Sequence, residues 1–201
     1  MTFDQEAVLR AYATAAEHGH ARLTALDQRS GDGDFGDNLR GGLREAVARF
    51  DAGSGETAFG ALGAVFLDEV GGTSGPLLGL LFTEIGHALA AGDDPVAAFG
   101  AGARAGLDAI QRVGEAQVGD RTLVDALAPA VEALPGGFAA GARAAAEGAR
   151  QTAELRARMG RASYVGDRAM GEPDPGAVGI ALLFRAAAEV AEPDAELPTV
   201  L

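Results

Sequence analysis

The chain has 201 residues, enough for one domain with a buried core and short for two. Its formal net charge of -13 and sequence pI of about 4.5 exclude the electrostatics on which non-specific nucleic-acid binding depends. All 16 basic residues are Arg and no Cys is present. That removes a P-loop lysine, Schiff-base chemistry, disulfides, thiolate zinc sites and a Cys nucleophile.

Hydrophobic residues make up 48% of the chain and aromatics 5%, with many Ala and Leu, so the composition predicts helices packed through small side chains. No apolar run approaches the ~20 residues of a membrane span, and the acidic, charge-interrupted start is unlike a signal peptide. The expectation is one all-α domain over 1–201, soluble and cytoplasmic, with neither a nucleic-acid nor a membrane partner.

Apolar residues at Phe3, Ala7, Leu9, Tyr12, Ala13, Ala16 and Leu23 predict a first helix from about Phe3 to Leu26, ending at an acidic loop. A second is expected from Asn38 to Phe50, stopped by DAGSG, and a third from Glu56 to Val70, stopped by GGTSGP. Pro76 then fits the first turn of a strongly apolar fourth helix through Leu77, Leu81, Ile85 and Leu89. After a turn at Ala91–Pro95 a fifth carries Val96, Phe99, Leu107 and Ile110 and ends at RVGEAQVGD. Thr122–Leu134 reads as the sixth and Phe138–Met159 as the seventh. A Gly-, Pro- and charge-rich linker, Gly160–Gly176, leads to an eighth from Ala177 to Val190, and a polar tail from about 191 is expected to be weakly held.

Eight helices with mostly short connections predict an antiparallel up-and-down barrel or bundle. In such a fold the loops after the odd-numbered helices share one end. Those loops are GDGDFGD, GGTSG, VGEAQVGD and the segment after Met159, and they hold many of the 30 glycines. The parity predicts a single composite site at that end.

Asp27, Asp32, Asp34 and Asp37 can surround a hard cation, which prefers carboxylate oxygens. An EF-hand is excluded, because a loop starting at Asp32 places Gly36, Asp37 and Leu43 where a ligand, a glycine and a bidentate Glu belong. The alternative is a solvated turn with Asp37 or Asn38 capping the second helix. Thr73 and Ser74, before Pro76, offer an anion seat at a helix N-terminus or ordinary capping. Thr122 and Asp125 fit a capping pattern. Arg161 and Arg168 can each meet phosphate, although for Arg168 an ion pair with Asp167 or Glu172 is the preferred reading. Tyr164 reads as a packing residue, and His18, His20 and His87 as structural.

Four blocks, LDQRSGDGDFGDNL, GGTSGPLLG, GDRTLVDALAPAV and GRASYVGDRAMGEPDPGA, together resemble the nucleotide-binding L subunit of dihydroxyacetone kinase, in family order over nearly the whole chain. The resemblance implies an eight-helix antiparallel barrel that holds ADP or ATP at one end through two Mg²⁺ ions. It implies Asp27, Asp32 and Asp34 as metal ligands. Phe35, Gly36, Asp37, Asn38, Thr73 and Ser74 are then expected near the phosphates, Gly114 and Leu123 beside the adenine, and Arg161 with Asp174, Pro175 and Gly176 over the nucleotide. Phe35, Ser30 and the additional Asp37 depart from the usual pattern, and Asp37 stays open between metal contact and helix cap. The resemblance further implies a phosphotransferase that acts with a K subunit holding dihydroxyacetone covalently. A phosphohistidine donor subunit that recharges tightly bound ADP fits a chain of this size, working as monomer or homodimer. The alternatives are the nucleotide module of a tetrose-sugar or fatty-acid kinase, and a nucleotide-sensing interaction protein without turnover.

Overall fold

Helix α1 (Gln5–Ser30) starts where the Asp4 carboxylate accepts the Ala7 N–H at 2.9 Å, satisfying one of the orphan donors of a first turn. It buries Val8, Leu9, Tyr12, Ala16, Leu23 and Leu26 along one face. The computed structural model describes residues 3–92 and 94–201. Met1, Thr2 and Asp93, the last within the turn expected at Ala91–Pro95, lie outside the described residues. There follow α2 (Phe35–Arg49), α3 (Ala58–Asp68), α4 (Ser74–Ala91), α5 (Pro95–Gly114), α6 (Val124–Ala133), α7 (Phe138–Gln151), the single-turn α8 (Ala162–Val165) and α9 (Pro175–Ala191). Among the described residues there is no strand.

Each long helix packs against the next in sequence, and α9 packs on both α7 and α1, closing the ring. Consecutive neighbours joined by short turns are antiparallel, so the chain forms the expected up-and-down barrel. α9 is buried on nearly every side, as its run GAVGIALLF requires. Phe99 lies at the centre of an aromatic cluster, edge-on to Phe3, Phe59, Phe138 and Phe184 at centroid distances of 5.3–6.0 Å. Tyr12, fully buried, donates its hydroxyl to the Gly179 carbonyl at 3.0 Å and so joins α1 to α9.

The glycines have a second use besides the turns. A Cβ on Gly102 of α5 would lie 2.5 Å from Ile85 Cα and 2.7 Å from the Glu84 carbonyl oxygen of α4. Such contacts let helix backbones touch, which a chain rich in small residues and poor in aromatics exploits to fill its core.

Several boundaries differ from expectation. α1 continues four residues beyond Leu26, because Gln28, Arg29 and Ser30 carry no breaker and the Ser30 hydroxyl bonds back to the Leu26 carbonyl; the helix ends at Gly31. Asp27 is therefore helical. α2 begins at Phe35, before Asn38. α7 ends at Gln151, where the Thr152 hydroxyl donates to the Ala149 carbonyl and a 3₁₀ turn follows, so 155–159 leave the helix. The expected linker contains α8 and a 3₁₀ turn at Gly166–Ala169. The tail is held against the barrel: Leu197 and Val200 pack on the core, and the Glu192 carboxylate accepts the Phe138 and Ala139 N–H groups, capping α7 where Gly137 has no side chain to do so.

Candidate functional site

The acidic stretch folds around Asp27. From the last turn of α1 its Oδ2 accepts the N–H of Gly33 at 3.0 Å and of Phe35 at 3.1 Å. Gly33 has φ +86°, a left-handed conformation suited to glycine. Asp32 and Asp34 are turned back by this bend, and carboxylate oxygens of Asp27, Asp32 and Asp34 all lie within 4.8 Å of one another. Burial, then the neighbouring Asp32, pushes the Asp34 carboxyl above its ordinary value, while Arg161 and the Asn38 side chain pull it back. Arg161 reaches across from the segment before α8, pairs with Asp32 and lies 3.9 Å from Asp34.

Asp37 is separate from this trio. It sits inside α2, bonded to His20 Nε2 at 2.8 Å and to Arg40 at 2.7 Å, and those partners, His20 first, hold its carboxyl below the usual range. The cap expected of Asp37 does not form, because α2 begins two residues earlier, with Asp34 at the N-cap position.

Beside the trio lies a cleft whose walls come from all four connections that follow α1, α3, the α5 end and α7. Asp27, Ser30, Asp32, Asp34 and Phe35 form one side. The α4 N-terminus contributes Thr73, Ser74 and Leu77, the α5–α6 loop Arg121, Thr122 and Leu123, and the final segment Met159, Gly160, Arg161, Ala162, Asp174, Pro175 and Gly176. The grouping predicted by helix parity is the one the fold produces. Neither Thr73 nor Ser74 caps α4 with its hydroxyl, so the capping alternative fails for both; both residues line the cleft, and among the described residues neither hydroxyl has a hydrogen-bond partner. The Thr122–Asp125 pattern does cap: Asp125 accepts the N–H of Gly119 at 2.5 Å and of Thr122 at 2.8 Å, and the Thr122 hydroxyl accepts the Val124 N–H.

Four expected site residues lie outside the lining. Gly36 is packed where α2 crosses α1, a Cβ there falling 2.9 Å from the His20 carbonyl oxygen. Asp37 points to His20, and the Asn38 side chain reaches the site at Asp34. Gly114 ends α5 behind Leu77. Phe35 is both wall and anchor: the residue is buried and its ring packs against Gly179 of α9.

Asp174 is the N-cap of α9. Its Oδ2 accepts the Ala177 N–H at 2.9 Å and its own N–H donates to the Thr152 hydroxyl. Burial raises its carboxyl to about 6 despite the helix N–H and Arg121. Arg121 is a residue that sequence reasoning passed over. It is 1% exposed, with φ +62°, and donates Nη2 to the carbonyls of Ala169 at 2.6 Å and Glu172 at 3.0 Å. Its one sequence signal was an Arg in a glycine-bordered turn within a block already singled out. The Arg168 pairings do not form: Asp167 faces Arg156, and Glu172 is taken by Arg22 and Arg29. Tyr164 is 89% exposed on α8 and packs no core, because the expected linker stands outside the barrel.

Three clustered carboxylates supply the hard oxygen donors that a divalent cation prefers. The α4 N-terminus with two free hydroxyls supplies donors for an anion beside them. Among the described residues no helix is long and apolar enough to cross a membrane.

A family model, the DAK2 domain, matches residues 29–189. The chain is 38% identical over 198 residues to an L-erythrulose 1-kinase of Mycolicibacterium smegmatis, covering 91% of this chain and 34% of that one. It is 33% identical to the ADP-binding subunit DhaL of the PEP-dependent dihydroxyacetone kinase 1 of Listeria innocua, covering 92% of this chain and 96% of the relative. The crystal structure of the dihydroxyacetone kinase from C. freundii in complex with AMP-PNP and Mg²⁺ superposes with a TM-score of 0.73 at 30% identity, over 92% of this chain and 33% of that one. The chain thus spans about a third of the erythrulose kinase and nearly the whole DhaL subunit.

Proposed function

The chain belongs to the DAK2 domain family, and from that premise we propose that residues 1–201 form the nucleotide-binding module of a phosphotransferase acting on a short ketose. The carrying observation is the juxtaposition in one cleft of three carboxylates within 4.8 Å and an α4 N-terminus with two unused hydroxyls. The donor set fits Mg²⁺ through Asp27, Asp32 and Asp34. Held there beside ADP or ATP, two such ions would neutralise phosphate charge that otherwise repels a nucleophile.

The residues of the chain divide the remaining work. Asp27 spends one oxygen shaping the loop and keeps the other for metal. Thr73 and Ser74 would donate to phosphate oxygens, and Arg161, paired with Asp32 and near Asp34, is the guanidinium that would meet phosphate. Leu123 gives the base an apolar wall, and Asp174, Pro175 and Gly176 border it. The cleft contains no Lys, Cys or His among its lining residues, so nothing there captures a ketone covalently. On this reading the acceptor is dihydroxyacetone held by a separate K subunit, with a phosphohistidine protein recharging retained ADP. The near full-length match to a PEP-dependent DhaL subunit supports that branch. A tetrose acceptor is the second reading, supported by 38% identity to the erythrulose kinase.

Native mass spectrometry of the purified chain tests the proposal. An increment equal to ADP plus two Mg²⁺, lost in Asp32→Asn, is expected. A protein that takes up Ca²⁺ but no nucleotide under any Mg²⁺ concentration refutes it.

A further inference from the structure

Arg121 has donors that the fold does not use. Its Nη2 anchors the Ala169 and Glu172 carbonyls, yet Nε and Nη1, both shielded from solvent, have no hydrogen-bond partner. Buried donors on a charged group are rarely left so, because each forfeits its hydration without replacement. Asp174 is a countercharge that acts on Arg121, but the two form no ion pair among the described residues, and Asp174 Oδ2 is committed to the Ala177 N–H. The backbone of Arg121 is also held at φ +62°, a conformation that non-glycine residues adopt at a cost and that gathers at functional sites. Both Arg121 and Asp174 line the cleft that also holds the acidic corner.

We propose that Arg121 is a nucleotide-contact residue, one of whose unused donors, Nε–H or Nη1–H, meets an oxygen of the ligand in this cleft, while Nη2 keeps the 169–172 segment in place. The inference rests on the nucleotide reading above. A charged N–H donor selects an oxygen acceptor, supplied either by a ribose hydroxyl, which can at the same time donate to Asp174, or by a phosphate.

The test uses the full chain with Mg²⁺ and three ligands: ADP, 2′,3′-dideoxy-ADP and adenosine, with Kd from calorimetry or competition. Arg121→Met is expected to weaken ADP by about 10- to 100-fold, the range of a charge-assisted hydrogen bond. If the ribose is the acceptor, the preference for ADP over dideoxy-ADP collapses in the variant. If a phosphate is, the preference for ADP over adenosine collapses. Equal weakening of all three ligands assigns Arg121 to loop anchoring alone and overturns the proposal, as does an unchanged ADP Kd. Should Arg121→Met not fold, Arg121→Lys, which keeps one charged donor for the carbonyls, is read on the same panel with the same criteria. A wild-type chain that binds no nucleotide overturns the function proposed above; a wild-type chain that binds it while the variant preserves both preferences overturns only the role of Arg121.

Discussion

Replacing Asp174 by Asn should stabilise the nucleotide-free protein above neutral pH. The carboxyl is buried and raised from its usual 3.8 to about 6. The folded state thus binds a proton more tightly than the unfolded state does, and stability falls as pH rises from about 4 through about 6. Above that window the full cost of keeping the carboxylate charged is present; below it the cost is absent. At 1.36 kcal/mol per pH unit, a rise of roughly two units sets an upper limit of about 3 kcal/mol. Asn keeps an oxygen for the Ala177 N–H, so the α9 cap survives. Arg121 loses a favourable neighbour, which reduces the gain. Urea unfolding of both proteins at pH 8, 6 and 4.5 should show Asp174→Asn more stable by about 1–3 kcal/mol at pH 8, with the gap closing at pH 4.5. A variant less stable than wild type at pH 8, or a gap independent of pH, refutes the reasoning. Nucleotide affinity should fall in the same variant, the usual trade of site function against stability.

Two core substitutions test the packing. Tyr12→Phe removes the hydroxyl donated to Gly179 and should cost about 1 kcal/mol by thermal or chemical unfolding. Because burial pushes the phenol upward, that loss should be the same at pH 6 and pH 9; a pH-dependent loss would contradict it. Gly102→Ala drives a methyl group into the α4 backbone and should destabilise by about 1–3 kcal/mol, whereas Gly41→Ala, with open space around its Cβ, should gain up to about 1 kcal/mol of helix propensity. Equal effects at the two glycines would mean that the α4–α5 contact yields without strain.

The barrel was legible because its signals are local and repeated: helical spacing in α1, a proline in the first turn of α4, glycines at the turns. The common site end was legible from helix parity, which tolerates boundary errors of several residues provided no helix is gained or lost. The single-turn α8 did not spoil it, since it falls within the last connection and leaves α9 running opposite to α7. What stayed hidden depends on contacts distant in sequence. Asp37 resembles its three neighbours in a linear string, and only His20, on another helix, shows that it faces away. Nothing near Glu192 says that it caps α7 across 54 residues. Arg121 is invisible for the same reason: an Arg in a Gly-Asp turn reads as solvated until the segment carrying Ala169 and Glu172 closes over it.

That closure also connects the two charged halves of the cleft. The 160–174 segment brings Arg161 to Asp32 and Asp34, is fastened to α1 by Glu172 with Arg22 and Arg29, and is fastened to the α5–α6 loop by Arg121. Three carboxylates so close repel one another, and Arg161 relieves them in the absence of a divalent ion. Were Asp27, Asp32 and Asp34 to hold a divalent cation, its charge would replace that of Arg161 there and leave the guanidinium available to an anion. On the function proposed above, metal and nucleotide binding should therefore be coupled through Arg161, the one guanidinium among the described residues paired with these carboxylates.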